Sequence, residues 1–223
     1  YDAYRNEYKN QLLNKIKKEG VEKSKIMVLE ALTRLRQICD SPLLLNSNEI
    51  TENQSVKINE LIRHITRKTG RHKILVFSQF VKMLALIQNE LRRLNIEYEY
   101  LDGQNSSENR RKSVKNFQEN ENLRVFLISL KAGGTGLNLT AADYVFIVDP
   151  WWNPAVENQA IARCHRIGQD KKVFAYRMIC KNTVEEKILS LQNKKKKIAG
   201  DIIQTDESIL KKLNQKDINE LFS

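Results

Sequence analysis

The sequence predicts an α/β fold built on a parallel sheet with helices covering both faces. Three observations carry this expectation. Apolar runs of strand length, KILVFS (residues 73–78), RVFLIS (124–129) and DYVFIVD (143–149), are nearly continuous rather than alternating, as in strands buried on both sides. Between the runs lie segments with helical period, such as Phe80, Met83, Leu84, Ile87, Leu91 and Leu94. The two kinds of segment then alternate along the chain, the order of repeated βαβ units.

Taken in order, residues 1–40 read as helical. Tyr1, Tyr4, Tyr8 and Leu12 recur at helical spacing, as do Ile26, Leu29, Leu32, Leu35 and Ile38. Ser41 precedes Pro42 and so avoids the helical basin, which ends this region. A polar stretch (46–55) reads as a loop. Residues 56–69 suit a helix with Gly70 as its stop. KILVFS is the first strand, and 80–94 a helix. IEYEYLDG (96–103) reads as a strand ending in a turn, and 106–120 as a helix. RVFLIS and DYVFIVD are the next strands. Residues 154–164 read as a helix with Pro154 in its first turn. KVFAYRMIC (172–180) is the last strand. Thr183, with Glu186 three residues on, has the spacing of a capping box that opens a long helix. Ile209, Leu210, Leu213, Ile218 and Leu221 suit a terminal helix.

Composition narrows the function. The 223 residues carry a net charge of +11, which favours polyanions, nucleic acid first and an anionic membrane second. Lys194 to Lys197 form one run of the kind found on solvated helix faces; +11 less those four leaves +7. Cys39, Cys164 and Cys180 are odd in number and include no CxxC pair, so free thiols in a reducing compartment and no zinc site are expected. No apolar run approaches the ~18–20 residues of a membrane span. The chain starts without Met and in mid-helix style, as a fragment of a longer chain would, and its last residues read as a natural end.

In parallel α/β sheets, ligands sit beyond the carboxyl ends of the strands. The segments there are Ser78–Gln79, Asp102–Gly103, the loop from Ser129, and Asp149–Pro150. The loop LKAGGTGLNL holds Gly133, Gly134 and Gly136, three of eight glycines in the chain. Such a loop either presents amides to phosphate oxygens, with Lys131 adding charge, or is a tight structural turn. It is not a P-loop, since GxxxxGK[ST] occurs nowhere. PWWNP follows, with both tryptophans between prolines; they suit either helix packing or stacking on a nucleic acid. In QAIARCHRIGQ (159–169), helical spacing would put Gln159, Arg163 and Arg166 on one stripe. Two guanidinium forks on one stripe suit a polyphosphate; of the nearest acids, Glu157 lies at neither i±3 nor i±4 from them, while Asp170 stands at i+4 from Arg166.

QAIARCHRIGQ resembles motif VI of superfamily 2 helicase-type ATPases in its Swi/Snf form. KILVFSQF is similar to motif IV of that family. YLDGQNSSENRRKSVKNF resembles its next block, with Asp102, Gly103, Arg110 and Phe117 in register. LISLKAGGTGLNLTAADYVFIVDPWWNP resembles motif V and the following strand, and LRQICDSP (35–42) the helical segment between the two lobes. The likeness spans roughly residues 25–200.

The resemblance implies a recombinase-A-like lobe that closes on ATP and Mg2+ held mainly by an N-terminal ATPase lobe of the same chain. That partner lobe carries the P-loop and the acidic magnesium motif. It implies Arg163 and Arg166 as arginine fingers, with Gln159, Gly134, Gly136 and Asn138 binding ATP or coupling it to DNA. It implies Ser78, Gln79, Lys131 and Trp152 beside a double-stranded DNA track, and no metal ligands in this chain. Residues 1–55 would be inter-lobe protrusion, 56–182 the lobe, and 183–223 brace helices. The implied activity is ATP-driven translocation on duplex DNA; a strand-separating helicase lobe and a degenerate binding module are the alternatives. The chain alone is expected to be monomeric and inactive. Rich Asn, Lys and Ile usage suggests a bacterial, nucleoid-associated cytoplasmic protein, or a nuclear one if eukaryotic. Two positions depart from the family form: Ser129-Leu130 stands where Ser-Thr is usual, and Asp40-Ser41 where Cys and His are usual before proline.

Overall fold

The computed structural model describes residues 1–45, 55–133, 137–150, 154–164, 171–199 and 213–223, with backbone alone for 195–199. The chain divides into two compact units, Val56–Met178 and Tyr1–Ser55 with Ile179–Ser223.

Val56–Met178 is the α/β unit. It begins with α2 (Val56–Arg63), continued by a π-helical turn (His64–Lys68) and stopped at Gly70, whose φ of 52° suits glycine. Then come β1 (Ile74–Ser78), α3 (Val81–Arg93), β2 (Tyr98–Leu101), α4 (Ser107–Glu119), β3 (Val125–Ser129), α5 (Leu130–Gly133), β4 (Tyr144–Ile147), α6 (Pro154–Ile161) and β5 (Phe174–Arg177). The strands form one sheet in the order β2-β3-β1-β4-β5, and every pair is parallel. This is the recombinase-A-like arrangement that the resemblance implied: a parallel sheet flanked by helices.

Apolar burial explains the order. β1 and β3 are buried at every residue, matching their continuous apolar runs, and they occupy the sheet centre. The core gathers Leu75, Phe77, Phe117, Phe126, Ile128, Val145 and Ile147. Phe117 from α4 meets Phe126 of β3 with ring centroids 5.2 Å apart. Each such side chain contributes roughly 1.5–3 kcal/mol by leaving water. Ser106 starts α4 by accepting a hydrogen bond from the Asn109 N–H at 3.2 Å. The edge strand β5 is exposed along its length. Aromatic pairs hold it in register: Phe174 stacks on Tyr144 and Tyr176 on Phe146, with centroids 5.2 and 5.0 Å apart.

The other unit joins α1 (Asp2–Asp40) to α7 (Val184–Ala199) and the terminal α8 (Gln215–Leu221). α1 is broken at Gly20, whose φ of 82° and ψ of 170° lie outside the helical basin. Its second half buries Val28, Ala31, Leu32, Leu35 and Cys39. The expected stripe was therefore misplaced at its start: Ile26 is 83% exposed and Leu29 37%. The helix ends at Ser41, an extended residue whose N–H bonds the Gln37 carbonyl, just before Pro42.

The capping at α7 also differs from the expected box. The Thr183 hydroxyl accepts from the Glu185 N–H at 3.3 Å, and the Glu186 carboxylate accepts from the Asn182 N–H at 2.9 Å, one residue earlier than a capping box requires. Thr183 instead donates to the Cys180 carbonyl at 2.7 Å, which turns its hydroxyl toward the preceding loop. A full capping box occurs at α8, between Asn214 and Asp217. Leu213, Ile218 and Leu221 are buried there as expected, while Ile209 and Leu210 lie outside the described residues.

Candidate nucleotide and nucleic-acid edge of the sheet

Because all five strands run the same way, their carboxyl ends share one edge. Ser78 of β1 pairs in register with Ser129 of β3. That places Ser78–Gln79 beside the start of the loop containing Lys131, with Asp149 close after β4.

The Ser78 hydroxyl is occupied locally. It accepts from the Phe80 N–H at 3.0 Å and lies 3.3 Å from the Phe80 carbonyl as donor, and the residue is fully buried. Ser78 thus shapes the strand-to-helix turn and offers solvent no surface. Gln79 follows. Its backbone N–H bonds the buried Asp149 carboxylate at 2.9 Å. Its side-chain Nε2 is shielded and has no hydrogen-bond partner among the described residues. A shielded donor at a strand tip is a group that a phosphate or carbonyl oxygen of a ligand can satisfy.

After β3 the chain turns into the four-residue α5. The Ser129 hydroxyl accepts from the Ala132 N–H at 3.3 Å, and the Arg110 guanidinium donates to the Ala132 carbonyl at 3.3 Å. Lys131 is exposed. Gly133 packs directly on β1: a Cβ there would sit 2.8 Å from the Phe77 ring. Glycine is therefore required at that position by close approach. Gly134 and Gly136 lie outside the described residues. Beyond them Asn138 is exposed, and Gln118 of α4 clamps its segment twice. The Gln118 amide nitrogen donates to the Asn138 carbonyl at 2.9 Å, and its oxygen accepts from the Ala141 N–H at 2.8 Å.

α6 packs against α5, and Gln159 sits exposed near its end. The helix expected over 154–164 stops at Ile161, so Arg163 lies past its end and does not share a helical face with Gln159. The Arg163 N–H bonds the Ala160 carbonyl at 3.2 Å and the Cys164 N–H that of Ile161 at 3.0 Å, both i to i−3, the tightened pattern common at helix ends. Cys164 is thereby drawn into the core. The Arg163 carbonyl accepts from the Leu139 N–H at 3.2 Å. That bond joins the arginine turn to the residue after Asn138. Arg166 and Trp152 lie outside the described residues.

Glu157, the nearby acid of α6, is 2% exposed and pairs with Arg177 of β5. This leaves the end of α6 supported from the sheet side. The sequence placed Asp149 at a strand end without giving it a role, and it did not single out Lys57. Asp149 fixes Gln79, as described. Lys57 is 3% exposed, and its ammonium donates to the Val148 carbonyl at 2.8 Å, bracing the carboxyl end of β4. The signal for Lys57 was a charge set beside the apolar stripe of its helix, a pattern that surface lysines share.

An all-parallel sheet with polar groups and a glycine-bearing loop at one carboxyl edge defines an α/β lobe of the nucleotide-handling class. Residues 56–168 match the model of the helicase conserved C-terminal domain, and the chain belongs to that family. It is 38% identical over 206 residues to an uncharacterized ATP-dependent helicase of Mycoplasma pneumoniae, covering 92% of this chain and 20% of the relative. It is 47% identical over 160 residues to the DNA repair protein RAD5B of Arabidopsis thaliana, covering 70% of this chain and 12% of the relative. The chain thus spans about a fifth or less of these relatives.

Among solved structures it is similar to the Sulfolobus solfataricus SWI2/SNF2 ATPase core in complex with dsDNA. The TM-score is 0.81 at 34% identity, over 98% of this chain and 46% of that one. The C-terminal domain of the same ATPase gives a TM-score of 0.78 at 33% identity, over 98% of this chain and 91% of that one. The lobe is of the SWI2/SNF2 type.

Proposed function

We propose that this chain is the second motor lobe of an ATP-dependent, double-stranded DNA translocase. A P-loop lobe binds ATP with Mg2+, and this lobe closes on it. Arg163 and Arg166 reach the triphosphate and stabilise charge as the γ-phosphoryl group transfers. Gln159 positions them. Gly134, Gly136 and Asn138 connect that event to the DNA side, where Gln79, Lys131 and Trp152 meet the duplex; Ser78 contributes by holding the turn that presents Gln79. Residues 56–182 act as the lobe, 1–55 as protrusion and 183–223 as brace.

The observation that carries this reading is the Leu139 to Arg163 hydrogen bond of 3.2 Å. It ties the loop beyond Asn138 to the turn that holds the first arginine. A shift of the arginine on closing or opening over nucleotide therefore pulls on the loop after β3, and motion in one passes to the other. The net charge of +11 and the DNA-bound Sulfolobus relative support the polyanion.

The experiment is ATP hydrolysis by the two-lobe protein with and without duplex DNA, run beside strand displacement on duplex DNA and duplex RNA. Duplex-stimulated turnover without displacement is expected. Displacement would favour the strand-separating alternative, and turnover indifferent to nucleic acid would refute the motor reading. This chain by itself is expected to hydrolyse no ATP. Its affinity for duplex DNA should fall steeply with salt, and Lys131→Ala should reduce the slope of log K against log salt by about 1.

A further inference from the structure

We propose that Cys39, Cys180 and Glu185 form a binding site for a thiolate-preferring divalent cation, Zn2+ foremost, in the unit made by the two chain ends. One sulfur from each cysteine and one glutamate oxygen lie within 4.8 Å of one another. The three residues come from separate places in the sequence: the last turn of α1, the loop after β5, and the first turn of α7. Cys39 is 8% exposed, Glu185 1%, and Cys180 half-buried. No sequence spacing announces such a site, because the two cysteines are 141 residues apart.

The geometry fits the cation. Tetrahedral zinc with Zn–S of about 2.3 Å and Zn–O of about 2.0–2.2 Å separates its ligand atoms by about 3.5–3.8 Å. From a spacing of at most 4.8 Å, the atoms need to draw together by about 1.3 Å at most, which side-chain rotation supplies. The turn is already set. The Glu185 carboxylate accepts from the Cys180 N–H at 3.0 Å, and the Thr183 hydroxyl donates to the Cys180 carbonyl. The Cys180 thiol donates to the Cys39 backbone carbonyl at 3.4 Å, which holds its sulfur beside the end of α1. A buried carboxylate beside two thiols distinguishes this group from a pair of packed cysteines, and two soft ligands with one hard one select zinc over magnesium or calcium.

Binding displaces one proton from each thiol: Zn2+ with two thiols and a carboxylate gives a complex of net charge −1 and two released protons. The amino end of α7, sixteen residues long, carries partial positive charge that offsets the remaining −1. A fourth position remains open to water. The site ties the end of α1 to the start of α7.

The test uses the 223-residue chain, reduced under anaerobic conditions, with zinc and then cobalt as probes. One zinc per chain should survive gel filtration, and the cobalt form should show a thiolate charge-transfer band sized for two sulfurs. Cys180→Ser should abolish the band with circular dichroism unchanged. Glu185→Gln, which keeps an acceptor for the Cys180 N–H, should weaken binding at least about tenfold. The proposal is overturned by zinc well below one per chain, by a cobalt spectrum without thiolate character, or by binding that survives both substitutions. Ready closure of a Cys39–Cys180 disulfide by a chain that retains no zinc would also overturn it, in favour of a redox pair.

Discussion

Gly133→Ala is the sharpest packing test of the candidate edge. The added Cβ would lie 2.8 Å from Cε1 and 3.4 Å from Cδ1 of Phe77, with the Ile128 side chain 3.7 Å away. Phe77 is fully buried in the central strand, so its ring has no solvent to move into. Either the ring leaves its place in the core or α5 lifts off β1. Overpacking of this kind costs about 1–3 kcal/mol. For a unit of this size that lowers the melting temperature by about 4–12 °C. Both tryptophans fall within Val56–Met178, so tryptophan fluorescence during thermal or denaturant unfolding follows this unit. The companion variant Phe77→Leu removes the ring atoms at fault. In the double variant the two losses should fall short of their sum by about 1 kcal/mol or more, the sign of a relieved clash. A Gly133→Ala protein within about 0.5 kcal/mol of wild type, or strict additivity in the double variant, would refute the close-approach account.

Removing Arg177 should leave the buried Glu157 carboxylate without its β5 partner. The Arg177 side chain is 40% exposed, so water softens the loss, and about 2 kcal/mol is expected from denaturant unfolding, with Glu157→Gln in the same background recovering part of it. Cys164 should resist thiol reagents in the native chain, because burial, reinforced by Asp143, pushes its thiol up to about 12. The sign for stability follows from that raised value. Below the usual thiol range both states are protonated; above it the unfolded chain loses the proton first, so native stability should decline as pH rises from about 9 toward 12. Unfolding midpoints compared between pH 8 and 10, in wild type and Cys164→Ala, check this; a decline of equal size in both would reject it. At the acid end, the Arg63 hydrogen bond holds the Glu60 carboxyl down at about 2, so that contribution is present above the usual glutamate range and is lost as pH falls toward 2. Carbon-13 NMR of the Glu60 carboxyl, in wild type and Arg63→Ala, reads it directly.

Much of the sheet was legible because its strands are continuous apolar runs, a pattern that survives whatever the loops do. The strand ends, and so the location of the candidate edge, followed from the parallel order. Helix faces were less legible. Ile26 and Leu29 have the right spacing, but the fold buries Val28 and Ala31 instead, since several apolar stripes compete on one long helix. The ends of helices were the least legible. α6 tightens after Ile161 because Cys164 is drawn into the core and the Arg163 carbonyl is claimed by Leu139, a contact from a segment more than twenty residues away that local periodicity does not register. Ser78 shows the same limit. Its place at a strand tip is readable, yet the local turn consumes its hydroxyl. Contacts such as Lys57 with Val148, and the gathering of Cys39, Cys180 and Glu185, join distant segments and leave no trace in spacing.

The central proposal is that the arginines after α6 complete a triphosphate site formed with a P-loop lobe. Single-turnover ATP cleavage by the two-lobe protein on saturating duplex DNA tests it most directly, comparing wild type with Arg163→Ala and Arg166→Ala. A fall of about 10³ to 10⁵ in the cleavage rate is expected for either variant, with nucleotide affinity within about tenfold and the melting temperature unchanged. Cleavage at the wild-type rate in both variants would contradict it.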